Sequence, residues 1–453
     1  MKPCFISTAL ARLRPAGGTE WQSQPPHPRM SQSRPLGLGS AVALVVASMI
    51  GTGVFTTSGF LLGDLGSPDA VLAAWAVGGV IAALGALSYG ALARRIPESG
   101  GEYLFLSRTL HPSAGFLAGW ISLLVGFSAP MAAAAMAFGE YTKSWLPGWN
   151  PRATGTALIV GLSVLHAVRV APGAWVQNAA VVLKAVLIAV FIGLACGRLP
   201  RGVAETVAGP GVWSPAFAVS LVWVSFSYAG WNAAIYVGGE IRDAERNLPR
   251  ALLAGALLVT ALYLGLNFVF LRAVPAAELV GQLDVGRIAA RALGGPVWAE
   301  AVTALVALGL LTSVSSMVMA GPRVYARMAG DGYLPAWLGC AEGAPRAAIG
   351  FQLAVALVML WTATYKSLLT YIGFTLSLST AATVVGLMRL RVREGAALRV
   401  PGWPWVPGLF VASVVWMAVC SVARQPVESG LGLATLGLGW LAWWVGWSGK
   451  FKG

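Results

Sequence analysis

The sequence predicts an all-α membrane protein: twelve transmembrane helices in a five-plus-five inverted repeat, with helices 1 and 6 broken, plus two extra helices. Three observations predict this fold class, namely the apolar composition, the long apolar runs, and the glycine interruptions in two of them. Of the 453 residues, 57% are hydrophobic and 11% are charged, whereas soluble domains carry about 25% charged residues. This composition excludes a soluble enzyme, a nucleic-acid-binding protein and a disordered chain.

The apolar runs have the length that a membrane requires, because about 20 residues of helix cross a hydrocarbon core of about 30 Å. Twelve runs come close to this length: 38–61, 70–93, 114–141, 153–168, 174–197, 215–239, 251–273, 297–320, 347–364, 367–388, 405–423 and 430–448. We expect repeat one at about 38–197, repeat two at about 215–388, and helices 11 and 12 at about 405–448. Transmembrane β-strands would instead alternate over about ten residues.

Residues 1–36 have a different composition and precede the transmembrane domain that we expect at 37–453. They hold six prolines and few apolar residues, which is typical of disorder, so we expect a disordered cytoplasmic tail. A short apolar run near the start is followed at once by Arg12 and Arg14, which disfavours a cleaved signal peptide. An organellar transit peptide, or a start at Met30, remains open.

The basic residues indicate the topology. The formal charge is +14, with 25 arginines scattered between the apolar runs rather than gathered with aromatic residues, so no nucleic-acid partner is expected. With the N-terminus inside, the inside loops and termini hold 21 basic residues and the outside loops hold nine. This asymmetry predicts a multi-pass protein of the cytoplasmic (inner) membrane, in contact with lipid, with both termini in the cytoplasm.

Catalytic, cofactor and metal signatures are missing from the sequence. The four cysteines are far apart and have no metal-ligand spacing. No nucleotide-binding glycine motif occurs, and the apolar runs contain no Ser and His pair at mid-depth and no paired acids. The sequence therefore predicts neither an enzyme nor a cofactor nor a bound metal.

Two apolar runs are interrupted near their middle. Run 1 contains Gly51 and Gly53 beside Thr52, and run 6 contains Gly230 in the stretch 225–232, which also has hydroxyl side chains. Interrupted helices at corresponding positions of two halves are typical of inverted-repeat transporters, whose substrates bind at the breaks. The half-helix ends would suit a zwitterion, with its carboxylate at the N-terminal end and its ammonium at the C-terminal end. Close helix packing through small residues is the alternative.

Five ordered motifs then show a resemblance that extends from about residue 36 to the C-terminus. They are IGTGVF (50–55), RRIPESGGEY (94–103), FSYAGWN with GGEIRDAERNLPRA (226–251), GPRVYARMAGDGYLP (321–335) and PGWPWVPGLF (401–410). In these motifs the chain resembles the amino acid, polyamine and organocation (APC) superfamily of permeases. The resemblance implies twelve helices, a five-plus-five inverted repeat and alternating access.

The resemblance also implies a substrate site at the two breaks. In that family the backbone at Gly51, Thr52 and Gly53 holds the substrate carboxylate, carbonyls of helices 1 and 6 hold the amine, and an aromatic residue at the position of Phe226 closes over the substrate. The candidate substrate-binding residues are therefore Ile50, Gly51, Thr52, Gly53, Phe226, Ser227, Ala229 and Gly230. We expect Gly51 and Gly53 to be required because the backbone itself is the ligand.

Lys184 lies near the centre of the fifth run, about ten residues from either end, too deep for easy snorkelling. The resemblance implies that a lysine at this position takes the place of a sodium ion, so we expect it to couple protonation to gating. Candidate partners lie in run 8, and the coupling residues are Lys184, Ser313 and Ser316, with Thr312 and Ser315 as neighbours. These hydroxyls could equally bond to their own helix.

The acidic residues all fall in the tail, the loops or the edges of the runs. Glu98 and Glu102 share a loop with arginines, so we expect salt-bridged cytoplasmic segments, with a gating role as the alternative. Without a carboxylate at mid-depth, a cationic substrate would lack a counter-ion. The sequence therefore favours a small neutral amino acid.

The expected function is sodium-independent secondary transport of such amino acids, by proton symport or exchange. A transport-fold sensor without net flux, or a permease for cationic amino acids or polyamines, is the alternative. Relatives that join a heavy chain carry a cysteine in the loop between helices 3 and 4. The loop 143–152 has none, so no heavy-chain subunit is expected.

Overall fold

The structure is a computed structural model that describes residues 36–168, 174–200, 211, 213–330, 332–339 and 344–447. Residues 1–35, to which nearly all of the predicted tail belongs, lie outside the described residues. Cys4 and Cys340 also lie outside them. The expectations for the tail and its boundary stay predictions.

The described residues are helical throughout, apart from turns and one isolated β-bridge between Leu36 and Ile241. The longer helices are α1 (Leu38–Met49), α2 (Gly53–Leu65), α3 (Pro68–Arg95), α4 (Gly101–Thr109), α5 (Pro112–Thr142), α6 (Pro151–Val168), α7 (Ala174–Cys196), α8 (Pro215–Tyr228), α9 (Ala244–Ala273), α10 (Val285–Gly330), α11 (Arg346–Thr362), α12 (Tyr365–Glu394), α13 (Trp405–Arg424) and α14 (Pro426–Trp447). A 3-10 helix covers Ala233–Glu240. The all-α prediction is confirmed.

Several of these helices are long and apolar enough to cross a membrane. By length and composition seven described helices qualify, and the pair α1 and α2 makes an eighth if it is one bent span. The seven are α3, α5, α6, α9, α10, α12 and α13. Several described helices therefore have the length and the composition that a membrane crossing requires.

Local sequence signals set the helix starts. Ser67 and Ser214 cap α3 and α8 with their side chains, and each is followed by a proline at the first helical position. Both features favour a helix start, because the cap satisfies a free N–H group and proline lacks one. Thr364 forms a reciprocal capping box with Ser367 at the start of α12.

The predicted run 297–320 is shorter than the helix that contains it. α10 begins at Val285, but Gly294 (φ −146°, ψ 15°) and Gly295 (φ 71°, ψ −162°) leave helical geometry. Pro296 follows them directly and favours a new helix start. The apolar run therefore marks only the part of α10 that follows this kink.

α3 joins the broken helices to the rest of the bundle. The Trp75 side chain is fully buried and its Nε1 donates to Ser58 Oγ on α2 at 3.0 Å. The Trp75 carbonyl accepts a hydrogen bond from the Tyr228 hydroxyl at the end of α8, at 3.0 Å. The Trp75 ring also meets the Tyr263 ring of α9 edge to face, with centroids 5.4 Å apart. Four helices are thus fixed to one another beside the breaks.

Candidate functional site

The first break separates α1 from α2. Ile50 leaves helical geometry (φ −74°, ψ 82°) while its N–H still donates to the Val46 carbonyl at 3.0 Å. The Gly51 N–H then turns back to the Met49 carbonyl at 2.8 Å. α2 continues from Gly53 in a direction that differs by 42°. The break therefore leaves carbonyls at the end of α1 and N–H groups at the start of α2 outside the helical pattern.

The second break separates α8 from the 3-10 helix Ala233–Glu240. Ala229 is extended (φ −53°, ψ 143°), and Gly230 has a φ of 102°, a conformation that favours glycine. A Cβ on Gly230 would lie 2.6 Å from the Ser48 carbonyl oxygen of α1. Glycine is therefore required here by both the backbone angle and the packing.

The two breaks lie against each other. Thr57 Oγ1 and Ser227 Oγ form a hydrogen bond of 3.1 Å between α2 and α8. A Cβ on Gly53 would lie 2.6 Å from the Ser227 Cα atom, so the two backbones are in close contact. The structure thus brings Gly53 to Ser227, and Gly230 to Ser48 beside Ile50.

Gly51 and Gly53 differ in their surroundings. A Cβ on Gly51 would have one surrounding atom within 4 Å, the Met49 carbonyl oxygen at 3.9 Å, which is an ordinary van der Waals distance. The packing alternative therefore applies to Gly53, whereas Gly51 carries no packing restraint that would explain it. Thr52 is 6% exposed and Phe226 is 8% exposed, so these two residues of the candidate set are buried beside the breaks.

Lys184 reaches the first break from α7. Its Nζ donates to the Ile50 carbonyl at 2.7 Å, and the side chain is buried. Its Cδ would lie 3.4 Å from a Cβ on Gly309 of α10, so the aliphatic stem runs along that helix. The lysine ammonium group thus binds the carbonyl oxygen of Ile50, which lies at the break just after the end of α1.

Two hydroxyl groups of α10 form hydrogen bonds within their own helix. Thr312 Oγ1 donates to the Gly309 carbonyl at 2.8 Å, and Ser316 Oγ donates to the Thr312 carbonyl at 2.9 Å. These are bonds within the helix, as the alternative interpretation expected. Ser315 Oγ pairs with His166 Nε2 of α6 at 2.8 Å, and Ser313 is half-buried. The coupling role of Ser313 and Ser316 stays a prediction.

Tyr263 of α9 is a residue that the sequence reasoning missed. Its buried hydroxyl lies 2.5 Å from the Met49 carbonyl and 3.1 Å from the Ser227 carbonyl. One phenol thus contacts the last turns of both half-helices that end at the breaks. A tyrosine inside an apolar run gives no sequence signal of this kind, because the two carbonyls belong to helices far away along the chain.

Glu102 of α4 is also placed differently from the prediction. Its carboxylate is 8% exposed and accepts hydrogen bonds from Tyr89 Oη (2.8 Å), Asn232 Nδ2 (2.8 Å) and Ser379 Oγ (2.7 Å). The salt-bridge prediction holds for Glu98, which pairs with Arg108 on the exposed surface. It is wrong for Glu102, because the glycine-rich start of α4 carries this side chain into the bundle, next to the second break.

A further ionic contact lies at the opposite end of the bundle from Glu98 and Arg108. Lys366 at the start of α12 pairs with Asp64 at the end of α2, at 3.2 Å. The Lys366 Nζ also lies 4.8 Å from the ring centroid of Trp223 on α8, whose Nε1 donates to Thr370 at 2.8 Å. These contacts join α2, α8 and α12 at the end that the basic-residue count assigns to the outside.

Comparisons with known proteins agree on one family. The family model described as "Amino acid permease" matches residues 36–443. Among similar curated proteins, a Bacillus subtilis "Serine/threonine exchanger SteT" is 27% identical, over 88% of this chain and 93% of its own length. The mouse "Large neutral amino acids transporter small subunit 2" is 29% identical, over 92% and 82%. The mouse "Asc-type amino acid transporter 1" is 27% identical, over 89% and 79%.

A similar solved structure gives the same fold. It is titled "Crystal structure of MhsT in complex with L-phenylalanine" and has a TM-score of 0.53 with 17% sequence identity. The alignment covers 89% of this chain and 98% of that chain. At this identity the similarity establishes the fold alone, so the substrate has to be argued from the site and the relatives.

Proposed function

Because the chain belongs to the amino acid permease family within the APC superfamily, we propose that it is a secondary transporter of small neutral amino acids. Transport is sodium-independent and proceeds by alternating access, as proton symport or exchange. The observation that carries the proposal is the contact between the two helix breaks, with room for a methyl group at Gly51 and the Lys184 ammonium group hydrogen-bonded to the Ile50 carbonyl.

The polarity of the breaks supports an amino acid as the ligand. The first N–H groups of α2 carry partial positive charge and suit a carboxylate, and the carbonyl ends of α1 and α8 carry partial negative charge and suit an ammonium group. The space beside Gly51 lets a ligand approach the backbone. Ile50, Thr52, Gly53, Phe226, Ser227, Ala229 and Gly230 are the other substrate-binding residues of this proposal.

Lys184 supports sodium independence. A sodium ion between α1 and α7 would need carbonyl oxygens such as that of Ile50, and the lysine ammonium group occupies that oxygen instead. A fixed positive charge so close would repel a cation. The same amine can release a proton, which provides one route to proton coupling.

A neutral substrate is favoured over a cationic one. Glu102 is the buried carboxylate beside the second break, and three donors already occupy its oxygens. The names of the relatives point in the same direction, since they concern serine, threonine and large neutral amino acids. A cationic permease, or a sensor with this fold that moves no substrate, is the second candidate.

The membrane arrangement completes the proposal. We infer twelve spans, with repeats at about 38–197 and 215–388 and two further helices, and both termini in the cytoplasm of a cell with this protein in its cytoplasmic membrane. Described helices lie at all twelve apolar runs, which supports this arrangement. The mouse relative is named as a small subunit, but the exposed loop 143–150 has no cysteine, so we propose that the chain works without a heavy chain.

Transport by the purified full chain in proteoliposomes tests the proposal. Radiolabelled serine, alanine, leucine or phenylalanine should enter vesicles preloaded with unlabelled amino acid, with the same rate in sodium and in potassium buffer. Unlabelled arginine should compete weakly. Arginine competition equal to that of alanine would support the cationic permease. Saturable binding without flux, in vesicles loaded or empty and with or without a pH gradient, would support the sensor.

A further inference from the structure

Glu102 lies in a buried network outside the proposed substrate site. Its three hydrogen-bond donors come from three different elements: Tyr89 from α3, Asn232 from the second break and Ser379 from α12. One carboxylate of the short helix α4 therefore holds three parts of the bundle together.

The carboxylate has no cationic partner in the described part of the chain. The surrounding basic residues are engaged elsewhere: Arg108 pairs with Glu98, Arg95 pairs with Glu394, and Arg389 donates to the Leu110 carbonyl. The remaining groups on the elements packed against α4 are Arg94 of α3, His111 beside Ser113 at the start of α5, Arg391 over the Trp403 ring, the exposed Arg393, Glu240 of the 3-10 helix, and the phenols of Tyr89 and Tyr236. Within the described residues, the hydrogen bonds to the carboxylate thus all come from uncharged donors.

The network continues directly into the second break. Asn232 follows Gly230 and Trp231, and the Trp231 ring meets the Tyr89 ring edge to face at 4.7 Å. The same Tyr89 donates its hydroxyl to Glu102. Glu102 therefore fixes the turn after the break from two sides, through the Asn232 amide and through Tyr89.

The two carboxylate oxygens differ in their partners. Oε1 accepts from Tyr89 and from the Asn232 amide group, whereas Oε2 has one partner, the Ser379 hydroxyl. A hydroxyl can reverse and accept a hydrogen bond, but an amide N–H group cannot. A proton on Oε2 could donate to Ser379 while both bonds at Oε1 remain.

We propose that Glu102 is a proton-binding site that couples pH to the attachment of α4 to the second break. The proton resides on Oε2 and is shared with Ser379. When α4 and the break separate, Glu102 becomes hydrated and releases the proton; when they reassemble, it takes one up.

The direction of the pH effect follows from burial. Burial raises the pKa of Glu102, and the hydrogen bonds from Ser379, Tyr89 and Asn232 offset this only in part. The buried arrangement therefore binds a proton at a pH where a hydrated glutamate is ionised. Acid stabilises the assembled network, and this stabilisation is lost as the pH rises through the pKa of the buried group.

Thermal unfolding of the purified full chain in detergent, between about pH 5 and about pH 9, tests the proposal. Glu102→Gln keeps the Oε1 acceptor, and its amide can donate to Ser379, so it imitates the protonated acid. We expect the Tm of the wild type to fall relative to that of Glu102→Gln as the pH rises. Glu98→Gln, in the same loop but exposed, is the matched control and should follow the wild type. Parallel curves for the wild type and Glu102→Gln overturn the proposal.

Ser379→Ala gives a second readout that a purely structural residue would not provide. Loss of its hydrogen bond to the carboxylate should move the midpoint of the pH profile to higher pH. Infrared difference spectra between acid and alkaline pH should contain a protonated carboxyl C=O band that Glu102→Gln loses and Glu98→Gln retains. An unchanged band in Glu102→Gln contradicts the proposal. Neither readout uses amino acid flux, so this proposal and the transport proposal can fail separately.

Discussion

The two helix breaks differ in the room that they leave. At the first break, a Cβ on Gly51 would meet nothing closer than the Met49 carbonyl at 3.9 Å. At the second break, Gly230 has a φ of 102° and lies against the Ser48 carbonyl. The first break thus leaves room beside Gly51, whereas the backbone of the second break at Gly230 is packed against the first helix.

The breaks also differ in what holds them. An ammonium group, that of Lys184, contacts the first break at Ile50. A carboxylate, that of Glu102, holds the second through Asn232. Each break is therefore contacted by an ionisable side chain, which is a base at the first break and an acid at the second. Together with the different room at Gly51 and Gly230, this predicts that substitutions of the two glycines have different effects.

Gly230→Ala should have the largest effect on the folded protein. A non-glycine residue with positive φ costs about 1–2 kcal/mol, and overpacking against the Ser48 carbonyl costs about 1–3 kcal/mol more. We expect a large loss of folded protein in the membrane, measured by fluorescence-detected size exclusion.

Gly51→Ala is the contrasting variant, since the added methyl group has room. Its abundance should match the wild type while substrate binding falls at least tenfold, because the methyl group occupies the approach to the backbone. Equal loss of abundance in both variants would remove the distinction between the breaks. Gly53 cannot serve in this test, because a side chain there collides with Ser227.

Lys184→Ala should leave the fold largely intact and change transport. Removal of the amine frees the Ile50 carbonyl, so the link from α7 to the first break is lost. We expect pH-dependent net uptake to disappear, while exchange of internal for external amino acid continues at a reduced rate. Lys184→Met, which keeps most of the stem along Gly309, controls for lost packing. Wild-type rate and pH dependence in both variants would reduce the lysine to a structural residue.

The sequence predicted the parts of this comparison that depend on local pattern. Both breaks, Lys184 at mid-helix and the helical character of the apolar runs could be read from composition and glycine position. Contacts between distant segments could not. Tyr263 resembles any tyrosine in an apolar helix, and only the packing of α9 brings its hydroxyl to Met49 and Ser227.

Glu102 illustrates the same limit for charged residues. It lies in a loop that also contains Pro97, Ser99, two glycines and the arginines at 94 and 95, so the pattern favours an exposed loop. The glycine before it has a φ of 60°, and that turn directs α4 into the bundle. Burial of a loop carboxylate depends on this backbone turn and on donors from α3, α12 and the second break, none of which is adjacent in sequence.

Tyr263→Phe tests whether the two breaks move as one unit. The hydroxyl contacts the carbonyls of Met49 and Ser227, and loss of one buried hydrogen bond costs about 1 kcal/mol, so the Tm should fall modestly. If the phenol ties the breaks together, the variant should bind substrate more weakly while the ring contacts to Trp75 and Tyr228 remain. The measurement is substrate affinity in detergent together with the Tm, and Tyr228→Phe is the control, because its hydroxyl bonds to the Trp75 carbonyl instead. Equal losses of affinity in the two variants would mean that general packing around Trp75, and not the shared hydroxyl of Tyr263, aligns the breaks.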